Sequence, residues 1–192
     1  LVLYCITHYI ATFMNFPKKV VLLGPESTGK SFLSERLAKH YQSVWCPEYA
    51  REYLLMLGRP YTADDLLVIA KNQTELSEQY TIDALTKQVN TIFFDTDMHV
   101  MKVWSEVVFG SCDPWILQEL SKQKCDLFLL CKPDIPWVED ELREYPELKV
   151  RNNLFAVYKE LMQNQTTPWS IVSGSFDERF NKAVKAVDAL LR

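Results

Sequence analysis

The chain has 192 residues, 48% of them hydrophobic and 24% charged, which suits one soluble globular domain with a full core of its own. A formal net charge of −4 argues against a protein that wraps nucleic acid through a strong basic field. The cysteines at 5, 46, 112, 125 and 131 are odd in number, with no C-x-x-C pair, and His8, His40 and His99 are not spaced for zinc; reduced thiols in a cytoplasmic protein are expected.

The first fourteen residues, LVLYCITHYIATFM, are apolar but too short to span a bilayer, and they lack the basic flank of a signal peptide. They are expected as an extension, residues 1–16, ahead of a domain over 17–192: either non-native sequence before Met14 or an extra element on a sheet edge. No other segment is long and apolar enough for a membrane helix, so no membrane partner is expected. Lys18 to Leu23 is short, β-branched and ended by Gly24, the pattern of a buried strand. Lys30 to Tyr41 has helical spacing, with Phe32, Leu33, Leu37 and Ala38 on one face. Ser43–Cys46 reads as a strand broken by Pro47, followed by a helix that stops at Gly58. Thr62 is placed to cap a helix of more than six turns. NTIFFDTD reads as a third strand, with helices near Val100–Phe109 and Pro114–Lys122 beyond it. CDLFLLC is a fourth strand, KPDIPWVEDELREYPELKVRN a proline-broken lid, Asn153–Gln163 a helix, WSIVSG a fifth strand and FDERFNKAVKAVDALLR a closing helix. Strands alternating with helices make an α/β fold, a parallel sheet with helices on both faces.

The stretch VVLLGPESTGKSFL matches G-x-x-x-x-G-K-[ST] between a buried strand and a helix. Gly24 and Gly29 allow a tight turn that brings backbone N–H groups to a polyphosphate, and the helix starting near Gly29 adds its positive end. Lys30 is a mobile cation for the β- and γ-phosphates, and the Ser31 hydroxyl is placed for Mg²⁺. A second element is expected at the end of a neighbouring strand, and TIFFDTD supplies Asp95 and Asp97. Asp95, directly after the apolar run, is the candidate on the metal side. Asp97 either faces an acceptor or caps the next helix.

A small-molecule kinase must also hold an acceptor hydroxyl beside the γ-phosphate. PEYARE places Glu48, Arg51 and Glu52 after the second strand, and in a parallel sheet the carboxyl ends of strands line the ligand crevice. Glu48 there can orient or deprotonate a hydroxyl, and Arg51 can reach a phosphate or the substrate. The alternative is a solvated helix start, where acids are favoured by the dipole. In the lid, Arg143 and Arg151 are the cations expected to close over the nucleotide and exclude water, unless they belong to a solvated charged helix.

GPESTGKS, PEYAREY, IAKNQ, FFDTDMHVMKVWSEVVFG, CDLFLLCKPDIPWVEDELRE and SGSFDERF, in that order, resemble the nicotinamide-riboside kinase domain of NadR-type proteins within the P-loop NTPases. The likeness runs from about Pro17 to Arg192. It implies a five-stranded sheet in the order 2-3-1-4-5, and transfer of the γ-phosphate of ATP to the 5′-hydroxyl of nicotinamide riboside. By the same resemblance, Gly24, Glu26, Ser27, Thr28, Gly29, Lys30, Ser31 and Phe32 hold the donor. Arg143 and Arg151 serve it from the lid, and Ser173 to Arg179, Ser175 among them, border the adenine. Lys30, Glu48, Asp97 and Arg143 are the implied catalytic set. Glu48, Arg51, Asp97, Gln73 and Trp104 surround the acceptor: an amide suits a carboxamide, and an aromatic face suits a cationic ring. Ser31 is on the metal side with Asp95 as the first candidate, and which of Asp95 and Asp97 meets the metal and which the acceptor is left open. The (H/T)-x-G-H motif of adenylyltransferases is absent, so neither adenylyl transfer nor transcriptional repression is expected of these residues. Two alternatives are a kinase for another nucleoside and a nucleotide-gated binding protein with little chemistry. The lack of an N-K-x-D tetrad weighs against a GTP switch.

Overall fold

The computed structural model describes residues 16–192. The expected N-terminal extension lies outside these residues, apart from Phe16. Five strands, β1 (Lys18–Leu23), β2 (Val44–Cys46), β3 (Thr91–Phe94), β4 (Leu127–Cys131) and β5 (Trp169–Val172), form one sheet in the order β2-β3-β1-β4-β5. Every pairing is parallel. The helices are α1 (Lys30–His40), α2 (Tyr49–Leu57), α3 (Ala63–Thr86), α4 (Met98–Phe109), α5 (Pro114–Lys122), α6 (Leu148–Gln163) and α7 (Phe176–Leu190).

The central strands are apolar along their length because both faces of the sheet are covered. Side chains alternate between those faces. Val20, Leu22, Phe93, Leu127 and Leu129 pack with Leu33 and Leu37 of α1 and with Ala183 and Val187 of α7. Val21, Leu23, Ile92, Phe94, Phe128 and Leu130 face Ala84 of α3, Val100 and Val103 of α4, and Tyr158 and Met162 of α6. A third cluster joins α2, α3, α4 and α5 through Ala50, Leu66, Ile69, Met98, Met101 and Ile116, and builds the wall beyond β2 and β3. Among the described residues no helix is long and apolar enough to cross a membrane.

Local chemistry sets the element ends. Thr62 and Asp65 form a reciprocal capping box at the start of α3, and Asp113 caps α5 with Pro114 in its first turn. Gly58 ends α2 in the left-handed region at φ 65°. Among the boundaries that differ from the sequence reading, three have a plain local cause. Helix α4 begins at Met98 because Asp97 caps it. Strand β4 begins only at Leu127, since the Asp126 carboxylate accepts from the Lys19 backbone N–H at 2.9 Å and pairs with Lys18. Helix α6 starts at Leu148 rather than Asn153. Pro146 is the last lid residue barred from helix, and Arg151, Tyr158 and Met162 then share one buried stripe.

Candidate active site

The parallel sheet brings the carboxyl ends of all its strands to one edge. The loop after β1 has the geometry of a phosphate cradle. Gly24 has φ 135°, and a Cβ there would lie 2.5 Å from the Cys131 carbonyl oxygen, so only glycine lets the loop pass β4. Gly29, at φ 76°, is the left-handed residue that launches α1. The first turn of α1 contains no acidic side chain, so its free N–H groups and positive end face an incoming anion. Lys30 donates from Nζ to the Gly24 and Pro25 carbonyls, each at 3.0 Å, and so lies curled along the loop. The Thr28 hydroxyl donates to the Pro25 carbonyl at 2.8 Å and closes the turn from inside.

Opposite the lysine are two carboxylates. The backbone N–H of Asp95 donates to the Cys46 carbonyl at 3.0 Å, which brings the residue after β3 level with the turn that carries Glu48. Burial and the Glu48 carboxylate push Asp95 up to about 7, while Lys30 and the Ser31 hydroxyl act the other way. Glu48 is raised as well, mainly by burial of its carboxylate, against the pull of Lys30 and Arg51. The Asp95 side chain is buried with Oδ1 lacking a hydrogen-bond partner. An orphaned, buried carboxylate oxygen beside a serine hydroxyl is a donor set that Mg²⁺ fits, with phosphate oxygens and water completing the shell.

Residues 132–147 form the lid, which lies against the phosphate loop. The Ser27 hydroxyl accepts from the Val138 N–H at 3.3 Å, and Arg51 grips Asp140 with contacts of 3.2 and 3.0 Å. Trp137 carries both arginines, Arg143 at 5.9 Å and Arg151 at 5.3 Å from its ring centroid. Arg151 is buried, and its Nε and Nη1 have no acceptor. A buried cation with open donors is a ready partner for a phosphate oxygen.

Several expectations change. Gln73 does not face the acceptor: it is buried, its Oε1 accepts from the Tyr49 N–H at 2.7 Å, and its Nε2 donates to the Pro47 carbonyl at 3.2 Å. Its amide is consumed in holding the turn that carries Glu48. Glu26 turns away from the donor, because its carboxylate accepts the backbone N–H groups of Glu144 and Tyr145 in the lid, at 3.1 and 2.5 Å. Asp97 is a helix cap. Oδ1 accepts from the His99 N–H and Oδ2 meets His99 Nδ1, both at 2.8 Å. Arg151 belongs to α6, not to the lid. The Ser175 hydroxyl is spent in a capping box with Glu178 at the start of α7. Arg143 donates to the Val138 carbonyl inside the lid. Trp104 donates from Nε1 to the Tyr61 hydroxyl at 3.0 Å and packs edge-on against that ring. Phe32 is exposed beside the loop, edge-on to Phe176 at 5.2 Å.

The sequence reading missed a clamp. Arg179 is 2% exposed and ties four segments together. Nε donates to the Gly174 carbonyl at 2.8 Å, Nη1 to Thr28 of the phosphate loop at 3.1 Å, and Nη2 to Lys132 at 2.7 Å and to the Asp134 carboxylate. A signal existed: Arg179, Ala183 and Val187 recur every four residues on the buried face of α7.

Comparison with known proteins agrees with this fold. The model of the family described as "AAA domain" matches residues 19–179. The trifunctional NAD biosynthesis/regulator protein NadR of Escherichia coli (strain K12) is 26% identical over 190 residues, covering 95% of this chain and 45% of that protein. The chain thus spans about half the length of this curated relative. A crystal structure of NadR protein in complex with NR superposes with a TM-score of 0.75 at 22% identity, covering 96% of this chain and 54% of that one. Deoxyadenosine kinase from M. mycoides shares the fold at a TM-score of 0.58 and 13% identity, covering 89% and 99% of the two chains. The chain belongs to the AAA-domain family of P-loop proteins and is a homologue of NadR over almost its whole length.

Proposed function

We propose that this chain is a nucleoside kinase that transfers the γ-phosphate of ATP to the 5′-hydroxyl of nicotinamide riboside. The observation that carries the reading is the acidic pair at the strand ends, half-buried Glu48 and buried Asp95 with its unpartnered Oδ1, close enough to Lys30 of the phosphate loop to feel its charge. Water is the only acceptor a simple hydrolase needs, and a half-buried carboxylate beside a buried one under a lid is more than water requires. Loop amides and the start of α1 hold the triphosphate. Lys30 swings from the loop carbonyls to the γ-phosphate and offsets charge developing there. Ser31 and Asp95 would hold Mg²⁺, which when bound neutralises phosphate charge. Glu48 accepts the proton of the attacking hydroxyl, a role that its raised affinity for protons favours. Arg151 and the lid add cationic charge and exclude water. Homology to NadR and the fold shared with a nucleoside kinase support the acceptor class. Nicotinamide riboside follows from the motif resemblance.

The test is ADP release with a panel of nucleosides. Stimulation by nicotinamide riboside above every other member supports the reading. Turnover on another nucleoside alone would replace the substrate and keep the kinase. ADP release that no nucleoside alters would replace the kinase with a nucleotide-gated binding protein.

A further inference from the structure

We infer that Glu26 is a positioning residue that anchors the lid to the phosphate loop, and that Glu144 and Tyr61 carry this anchor to the acceptor side of the cleft. The inference rests on the kinase reading above, since it assigns the lid its partners in that reaction.

A carboxylate inside a loop that binds triphosphate is misplaced as a donor ligand, because like charges repel. Glu26 resolves this by pointing its oxygens at the lid backbone, 2.5 Å from the Tyr145 nitrogen and 3.1 Å from the Glu144 nitrogen. Hydrogen bonds to an ionised acceptor are about twice as strong as neutral ones. Ser27 takes the Val138 N–H at 3.3 Å, so adjacent loop residues hold both ends of one lid segment.

The same lid residue is held from the other wall. The Tyr61 hydroxyl, in the connection between α2 and α3, donates to the Glu144 carboxylate, 2.9 and 3.0 Å from its oxygens. That hydroxyl in turn accepts from Trp104 Nε1 on α4 at 3.0 Å. Glu144 therefore gives its backbone to the donor loop and its side chain to the acceptor wall. A displacement of either wall reaches the other through one residue. The lid closes fully only when both walls are in place, and water is excluded only then.

Amide hydrogen exchange on the full chain without nucleotide tests this directly. In Glu26→Gln one acceptor oxygen becomes an NH₂ group that faces a lid N–H. Exchange over residues 136–147 should rise about 10-fold or more, with exchange in α1 unchanged. Tyr61→Phe should give a smaller rise in the same segment. Both variants should raise the nucleoside KM and the amount of ATP lost to water per nucleoside phosphorylated. Wild-type exchange in Glu26→Gln, or a rise spread evenly over the chain, would overturn the anchor. An unchanged lid in Tyr61→Phe would overturn the link to the acceptor wall. Failure of the wild type to turn over any nucleoside would sink the kinase reading alone, because the exchange measurement needs no acceptor.

Discussion

Replacing Gln73 by leucine tests whether the Glu48 turn is held from α3. Gln73 is 1% exposed, and its amide satisfies the Tyr49 N–H at 2.7 Å and the Pro47 carbonyl at 3.2 Å. Leucine has similar volume but leaves both backbone groups buried without partners. Each such group costs about 1–3 kcal/mol, so the sum is about 2–6 kcal/mol before the turn relaxes. Relaxation would admit water and lower the cost towards about 2 kcal/mol, while moving Glu48 away from Lys30 and Asp95. Urea unfolding measures the first effect, and acceptor kinetics the second: kcat falls about 10-fold or more, while the KM for ATP stays near wild type. A loss of stability under about 0.5 kcal/mol, with acceptor kinetics unchanged, would refute the reasoning.

Lys30→Ala should lower kcat by about 100-fold or more if the proposed donor role holds, and leave the unfolding midpoint nearly unchanged, because Nζ meets only the Gly24 and Pro25 carbonyls of the loop and not the core. Glu48→Gln should lower acceptor turnover at least as much as donor binding; unchanged turnover and KM would return Glu48 to a simple helix start. Asp95 gives stability a pH dependence of definite sign. The unfolded chain releases this proton near pH 4, whereas the folded protein keeps it until about pH 7. The folded state therefore binds more protons in that window, and stability of the nucleotide-free protein falls as pH rises through it, by up to about 1.4 kcal/mol per unit. Asp95→Asn should flatten that slope between pH 5 and 7 in urea melts, and equal slopes would contradict it. Arg179→Met strands the Thr28, Lys132 and Gly174 carbonyls and unpairs Asp134, for an expected loss of about 3–5 kcal/mol; a loss under about 1 kcal/mol would show that the clamp is not needed.

Sequence by itself determined the strand and helix alternation, the phosphate loop with Lys30 and Ser31, and the strand-end position of Asp95. Those features are local: a short apolar run, a glycine spacing or a capping threonine acts within a few residues. The strand order came from family resemblance, because nothing in a strand's own composition names its neighbours. Tertiary structure decided the polar roles. Gln73 and Arg179 lie on buried helical stripes, after Ile69 and Ala70 and before Ala183 and Val187, so their periodicity was legible. Their partners were not, since they lie 24 residues away at Tyr49 and 151 residues away at Thr28. The same holds for Glu26, whose carboxylate could meet phosphate, metal or lid until the fold laid Tyr145 against it. A polar side chain has several chemically adequate partners, and only the packing of distant segments selects among them.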